Sequence, residues 1–135
     1  MLNLMRTGAM LAGDFAALFK SRGLSEAAYN TLRVLRGAGD TGRPCHEIGE
    51  HLVARVPDVT RMVDRLEAAG LVTRERSARD RRVVNVRLTP KGLQVVTELD
   101  APVVQLHQRQ LGHLTRAELV ELNRLLVKAR RPESR

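Results

Sequence analysis

The most constraining feature of this sequence is a one-sided helical pattern that runs directly into a basic two-stranded ribbon. Between residues 57 and 70, apolar side chains recur at positions i, i+3, i+4 and i+7, which places them on one face of a helix. These residues are Val59, Met62, Val63 and Leu66. Pro57 suits the first position of that helix and Gly70 ends it. A strand at Leu71–Thr73, a polar stretch at 77–82 and a returning strand at Val83–Leu88 then predict a β-hairpin.

The predicted hairpin carries a strong positive charge. Its arginines outnumber its acidic residues by six to two, which gives a net charge of +4. The arginines are Arg74, Arg76, Arg79, Arg81, Arg82 and Arg87, and the acidic residues are Glu75 and Asp80. A narrow basic tip of this kind is suited to the minor groove of DNA, while its flanks neutralise phosphates. The alternative is an ordinary hairpin whose charge only keeps it solvated.

The whole chain is also basic, with a formal net charge of +8 over 135 residues. All but three of its 23 lysine and arginine residues are arginine, the side chain that binds phosphate and guanine in a bidentate manner. This composition favours a polyanionic partner, although a GC-rich genome also raises the arginine content. The location of the charge on the hairpin favours DNA.

Helices are predicted on both sides of this unit. A helix is expected from Leu2 to about Lys20, another after the N-cap Ser25, and a third from Pro44 to about Val53, with the connection Ala54–Val56 leading to Pro57. After the hairpin, Thr89 and Pro90 begin a helix that carries Leu93, Val96, Val103 and Leu106. Pro102 predicts a kink or restart in it, with Asp100 as a local cap. Thr115 and Glu118 have capping-box spacing for a last helix.

The terminal helices carry more apolar surface than one small domain needs, so a two-fold partner is expected to cover it. The length fits a single domain. The chain shows neither an apolar run of membrane-spanning length nor a signal-peptide pattern, which makes the cytoplasm the expected location.

The exposed positions of the helix from Pro57 are the candidates for reading sequence. Near its start, Pro57, Asp58, Thr60 and Arg61 are expected to contact base edges or phosphates. Arg61 suits guanine O6 and N7, and Asp58 can accept a hydrogen bond from cytosine N4. Asp64 and Arg65 are better explained by structural ion pairs on an amphipathic core helix, but Arg65 stays among the candidate DNA contacts.

Two segments resemble the MarR family of transcriptional regulators. Val59–Val72, which reads VTRMVDRLEAAGLV, is similar to the recognition helix of that family, and Asp80–Gly92, which reads DRRVVNVRLTPKG, is similar to its wing. The order of helices matches from about residue 2 to residue 130. The resemblance implies a mainly α fold with a small β-hairpin wing, a winged helix-turn-helix, spanning residues 1–135 as a single chain.

The same resemblance implies how the chain works. Residues 25–92 would form the DNA-binding region, and residues 1–22 and 93–131 the dimerisation helices of a triangular homodimer on a pseudo-palindromic operator. Asp80 would buttress the wing, and Arg82, with Arg79 and Arg81, would approach the minor groove. Family members commonly repress nearby genes and release DNA when a small molecule binds between the DNA-binding and dimerisation parts, although some members activate. Many place Ser or Thr near the start of the recognition helix, where this chain has Pro57 and Asp58.

The remaining reactive residues do not form an obvious site. Cys45 is the only cysteine, which argues against a redox pair. The spacings of His46 and His51, and of His107 and His113, do not place two rings on one helix face, so no metal site is expected. No catalytic motif or cofactor motif stands out, so the expectation is a regulator and not an enzyme. The alternatives are a winged helix that binds only proteins, and an enzyme of unrecognised type.

Overall fold

A computed structural model of the chain describes residues 1–53 and 55–130, and this part holds seven α-helices and three β-strands. The helices are α1 (Leu2–Lys20), α2 (Glu26–Ala38), α3 (Cys45–Ile48), α4 (Val59–Ala68), α5 (Pro90–Glu98), α6 (Asp100–Leu111) and α7 (Arg116–Arg130). The strands are β1 (Arg43–Pro44), β2 (Val72–Arg76) and β3 (Val84–Leu88). The predicted fold class, mainly α with a small β-hairpin, is confirmed. Ala54 of the predicted connection and the last residue of the 93–131 segment lie outside the described residues.

Local capping explains where several helices begin. The side chains of Ser25 and Thr89 each accept a hydrogen bond from the amide three residues later, at 3.1 and 3.0 Å. Before α7, the carboxylate of Glu118 accepts from the Thr115 amide at 2.8 Å, while the Thr115 hydroxyl accepts from the Glu118 amide at 3.3 Å. These bonds satisfy amides that have no partner inside the helix, and they confirm the predicted caps.

The start of α4 differs from the prediction. The helix begins at Val59 and not at Pro57, because Asp58 is its N-cap. The Asp58 Oδ1 atom accepts a hydrogen bond from the Arg61 amide at 2.9 Å. An aspartate at this position satisfies a free amide at the helix start, so the helix begins two residues later than predicted.

The third helix is shorter than predicted, because the residue that was expected to begin it belongs to a strand. Arg43 and Pro44 pair with Val86 and Asn85 of β3. The helix α3 then covers only Cys45–Ile48 and continues as a 3-10 turn, Gly49–His51. Gly42 has a φ of +66°, and a Cβ atom there would collide with the carbonyl oxygen of Val86, so a glycine is required for this strand to form.

The sheet has the order β1-β3-β2 and is antiparallel throughout. Val72 lies opposite Leu88, and Arg76 lies opposite Val84, so β2 runs three residues beyond the predicted Leu71–Thr73. Because side chains alternate along a strand, Arg74 lies on the same face as the buried Val72.

The core lies between α2, α3, α4, the sheet and α5. Its most completely buried apolar side chains are Leu32, Leu35, Ile48, Val63, Val72, Val86, Val96 and Leu99. The C-terminal part of α1 joins this core through Phe19, whose ring stacks on Tyr29 at a centroid distance of 4.1 Å. Gly92 of α5 approaches the carbonyl oxygen of Leu71 so closely that a Cβ atom would overlap it. This contact fixes α5 against the end of α4 and the start of β2.

The predicted restart near Pro102 is confirmed, but the predicted cap is wrong. The helix is interrupted at Leu99, and α6 begins at Asp100 with no side-chain cap. The Asp100 carboxylate instead accepts two hydrogen bonds from Arg36 of α2, at 2.8 and 2.9 Å. This bidentate, charge-assisted pair uses both carboxylate oxygens, which are then not directed at the start of α6. No helix within the described residues is long and apolar enough to span a bilayer.

Candidate nucleic-acid interface

The helix α4 presents a polar face away from the core. Met62, Val63 and Leu66 are buried, and the exposed residues of the opposite side include Thr60 and Arg61. At 100° per residue, Arg61 lies almost directly opposite the buried stripe. This is the orientation that a helix needs to insert into a DNA groove, and it agrees with the amphipathic pattern of the sequence.

The residues at the start of α4 are exposed, but they differ in how many of their polar atoms are available to contact DNA. Pro57 and Asp58 are both exposed. One carboxylate oxygen of Asp58 is used by the helix cap, which leaves the other oxygen available to a base. The assignment of Asp58 as a base contact therefore stays a prediction.

Arg74 of β2 is bound to α4 and does not belong to the free charge of the hairpin. Its guanidinium pairs with Asp64 at 2.6 Å and with Glu67 at 2.8 Å, and donates to the carbonyl of Thr60 at 3.2 Å. Burial opposes its charge, but the two carboxylates outweigh burial, so the pKa of Arg74 is raised. The prediction that Asp64 forms a structural ion pair is confirmed, and the interpretation of Arg74 as part of an exposed basic ribbon is wrong.

Arg65 differs from Asp64. Its side chain is exposed and forms no ion pair within residues 1–53 and 55–130, so the structural pair expected for it is not found there. It lies on the side of α4 that faces the turn between α1 and α2.

A second hairpin arginine is also held by the fold. Arg87 of β3 pairs with Glu75 of β2 and donates to the carbonyl of Asp40 at 3.2 Å. The first contact joins the two strands of the hairpin, and the second joins the hairpin to the turn after α2. Arg74 and Arg87 therefore anchor the hairpin, and the remaining arginines lie farther out along it.

The tip of the hairpin, residues 77–83, is organised by its own polar groups. The Ser77 amide donates to the carbonyl of Val83 at 2.9 Å, and the Val83 amide donates to the carbonyl of Asp80 at 3.0 Å. The Asp80 carboxylate accepts from the Arg82 amide at 3.0 Å. Asp80 therefore holds the backbone of the turn in shape.

The four outer arginines of the hairpin are exposed to solvent. They are Arg76, Arg79, Arg81 and Arg82. The side chain of Arg82 is 95% exposed, and its Nε atom lies 3.7 Å from Asp80, a distance that gives only a weak surface pair. Arg82 lines a groove together with Thr60 of α4, so the tip brings positive charge close to that helix. An exposed positive surface of this form is suited to a phosphate backbone.

A groove separates α4 from the hairpin. It has a volume of about 450 Å³, and its wall includes His46 of α3, Thr60 of α4 and Arg82. The sequence analysis assigned no role at this surface to His46, and it placed Arg74 in the exposed basic ribbon and not against α4. Alternation along a longer β2 would have placed Arg74 against α4, whereas no sequence pattern brings His46 to the groove.

A second surface is apolar and lies on the terminal helices. Seven large apolar side chains of α1 and α7 are exposed to solvent, by between 39% and 68%. They are Leu2, Leu4, Met5 and Met10 of α1, and Val120, Leu122 and Leu125 of α7. No residue of α7 is buried within the described chain. Apolar patches of this extent mark a surface that another molecule covers.

A pocket of about 460 Å³ lies between the α1–α2 turn, α4 and α5. Its apolar wall includes Leu24, Met62 and Leu66, and cationic side chains stand at its edge. These cations are Arg22, Arg65 and Lys91. Lys91 Nζ donates to the carbonyl of Ala69 at the end of α4, at 2.9 Å. An apolar wall with a cationic edge matches a small amphipathic anion. Within residues 1–53 and 55–130, no group of three or more His, Cys, Asp or Glu side chains is arranged to hold a metal ion.

Comparison with known proteins gives consistent matches. A model of the MarR family matches residues 24–84. The HTH-type transcriptional repressor IacR of Pseudomonas putida is 33% identical over 109 residues, which are 81% of this chain and 64% of that protein. The chain thus spans slightly less than two thirds of the length of this relative.

Solved structures match over nearly the whole chain. A MarR transcription factor from Planctomyces limnophilus is 44% identical, with a TM-score of 0.74 over 93% of this chain and 90% of that one. Bordetella bronchiseptica BpsR, whose DNA binding is regulated by 6-hydroxynicotinic acid, is 28% identical, with a TM-score of 0.80 over 93% of this chain and 94% of that one.

Proposed function

The chain belongs to the MarR family of transcriptional regulators, and we propose that it works as a homodimer that binds a pseudo-palindromic operator and represses the genes beside it. The relative IacR is a repressor, which supports repression over activation. A regulator of this kind acts on chromosomal DNA, so we place it in the cytoplasm. We assign it no enzymatic activity.

The observation that carries this proposal is the exposed charge beside α4. Arg82, with Arg79 and Arg81, extends from a tip whose shape Asp80 maintains. In our proposal Arg82 enters the minor groove and its neighbours contact phosphates, because negative potential is concentrated in a narrow minor groove. Asp80 acts through the backbone of the wing and does not contact DNA.

The exposed face of α4 would supply the choice of sequence. Arg61, opposite the buried stripe, is the best placed side chain for guanine O6 and N7. Thr60 and the free oxygen of Asp58 lie at the same end of the helix, with Pro57 against the backbone. Arg65, on the flank of α4, would contact a phosphate rather than a base.

The division of the chain follows from these surfaces. Residues 25–92 would form the DNA-binding region, while residues 1–22 and 93–131 would form the dimerisation helices that hold two wings at a fixed distance. The exposed apolar residues of α1 and α7 support this division, since a second copy of the chain would cover them.

The pocket beside Lys91 is the candidate effector site. Lys91 and Arg65 stand at its edge, and Lys91 is bonded to the end of α4. A small aromatic carboxylate that drew Lys91 away from the Ala69 carbonyl would disturb the position of α4 and weaken DNA binding. Regulation of BpsR by 6-hydroxynicotinic acid supports an effector of this class.

Fluorescence anisotropy tests the proposal. The purified protein is titrated into labelled duplex DNA from its own upstream region and into a scrambled duplex, across a series of salt concentrations. We expect a preference for the native duplex of about 10³-fold or more, with a steep negative dependence on salt. Equal affinity for the two duplexes would contradict sequence-specific regulation from this region, and absence of binding at low salt would favour a protein-binding module.

A further inference from the structure

The groove between α4 and the wing contains groups that suit a phosphate. Its wall brings together His46 of α3, Thr60 of α4 and Arg82 of the wing, three side chains from separate segments of the chain. The side chain of His46 is 69% exposed and that of Arg82 is 95% exposed, so both are accessible to a ligand.

The position of the groove determines which part of DNA would reach it. In the proposed complex, α4 occupies the major groove and the wing enters the adjacent minor groove. These two grooves are separated by one sugar-phosphate strand, so that strand has to pass between the helix and the wing. The space between α4 and the wing is the groove that His46 lines.

Carboxylates close to the groove do not oppose a phosphate strongly. Asp64 and Arg74 both line it, and Arg74 pairs with Asp64 at 2.6 Å and with Glu67 at 2.8 Å, which offsets one of their two negative charges. Without that arginine, two negative charges of α4 would face the DNA backbone. The groups left to bind a phosphate are the His46 imidazole, the Thr60 hydroxyl and the Arg82 guanidinium.

We propose that this groove holds a backbone phosphate of the operator and that His46 contacts it in the protonated form, so that DNA binding takes up a proton. The inference rests on the proposed DNA-binding function and adds a contact and a pH dependence to it. Imidazole is the side chain that changes charge between pH 5 and 8, and an adjacent anion favours its charged form.

The other charged groups around His46 are consistent with this behaviour. Glu47, on the same helix, lies 3.8 Å from His46 and also 3.8 Å from Arg43 of β1. Its side chain is 41% exposed, so its attraction to the imidazole is weak. The Cys45 thiol precedes His46 on α3, and the Asp64–Arg74 pair and Arg82 line the same groove from other elements. A phosphate bound in the groove adds a negative charge beside the imidazole and favours its charged form. The neighbouring histidine, His51, has a different partner, since its Nε2 atom lies 2.9 Å from Arg43 Nη1.

The test compares the affinity for operator DNA at pH 6 and pH 8, for the wild type and for His46→Gln and His46→Lys. We expect the wild type to bind roughly 3- to 10-fold more tightly at pH 6. His46→Gln should bind equally at both pH values with the weaker affinity, and His46→Lys should bind equally at both with the tighter affinity. His113→Gln, which changes an exposed histidine in the turn between α6 and α7, should keep the response of the wild type.

Salt dependence supplies a second readout. At pH 6, the slope of log affinity against log salt should be shallower for His46→Gln than for the wild type by about 0.9, the value for one phosphate contact. At pH 8 the two slopes should agree.

Two results overturn the inference. If His46→Gln keeps the pH response, or if the wild type prefers its operator but shows no pH response, then His46 is not a protonated phosphate contact. If the wild type fails to distinguish the operator from scrambled DNA at both pH values, the proposed function itself fails, and that failure is recognisable because it does not depend on His46.

Discussion

Solvent exposure separates the arginines of the hairpin into two groups. Arg74 is 21% exposed and satisfies two carboxylates of α4, whereas Arg82 is 95% exposed and has only a weak partner. An arginine already paired with two acids has little charge left for a phosphate, while an unpaired one releases counterions when it binds DNA. The two residues carry the same charge and differ in what they can bind.

Replacement of Arg82 by Ala should therefore weaken DNA binding without affecting the fold. We expect a loss of affinity of about 1–3 kcal/mol and a salt slope shallower by about 1, because one contact with DNA disappears. The melting temperature should stay within about 2 °C of the wild type, since an exposed side chain contributes little to stability. Anisotropy titrations over a salt series provide both numbers.

Arg116→Ala is the matched control for Arg82→Ala. It removes another exposed arginine, at the start of α7 and away from the wing. It should leave both affinity and slope close to the wild-type values. Binding of Arg82→Ala with wild-type affinity would show that the wing does not contact DNA through this residue.

At the scale of single elements, the sequence predicted each long helix but not the ends of the sheet. The apolar period of α4 is visible because a helix that packs on one side repeats its apolar residues. The strand β1 is two residues long and contains Pro44, so it has no period to detect. It forms because Gly42 permits a turn and β3 offers a free edge, which are properties of the folded chain.

The candidate site also combines features that the sequence predicts with features that depend on the folded chain. Arg74 was assigned to an exposed ribbon because β2 was expected to end at Thr73, and the true strand, which reaches Arg76, places Arg74 on the inner face. Asp58 was predicted near the start of the recognition helix, but its role as cap depends on a boundary two residues later than expected. His46 reaches the groove only because α3 packs against α4, a contact between elements that sequence spacing does not encode.

The break between α5 and α6 carries an ion pair whose strength should depend on pH. Hydrogen bonds from Arg36 hold the pKa of Asp100 below its usual value. Since the unfolded chain has the ordinary aspartate pKa of about 3.9, the pair stabilises the fold above that pH and loses its effect as the pH falls through the lower pKa of the folded state. Asp100 is 49% exposed, so the contribution should not exceed about 1 kcal/mol.

Thermal melts of Arg36→Met and of the wild type at several pH values test this pair. The variant should melt roughly 2–4 °C below the wild type near pH 7, and the difference should shrink towards zero as the pH falls through the lowered pKa of Asp100. Arg116→Met should show no such pH-dependent difference. A gap between Arg36→Met and the wild type that stays constant with pH would mean that the side chain of Arg36 stabilises by packing alone.

At the scale of the whole molecule, two surfaces point to one assembly. The wing and α4 form one basic surface, and the apolar residues of α1 and α7 form another that the described chain leaves uncovered. A single winged region contacts only a few base pairs, so operator affinity depends on joining two of them at a fixed spacing. The terminal helices are the part of the chain suited to set that spacing.

Substitution within the apolar face of α7 should therefore separate dimerisation from folding. Leu122→Glu places a charge in the face expected to pack against the second copy, whereas Leu122→Ala only shortens the same side chain. Sedimentation should show a monomer for Leu122→Glu and a dimer for Leu122→Ala, with unchanged helical content by circular dichroism in both. Because the two half-sites are then bound independently, the operator affinity of Leu122→Glu should fall by about 100-fold or more, while its affinity for an isolated half-site stays the same. A dimeric Leu122→Glu protein with wild-type affinity would show that α7 does not hold the two copies together, and the apolar surface of α1 would then have to carry the contact alone.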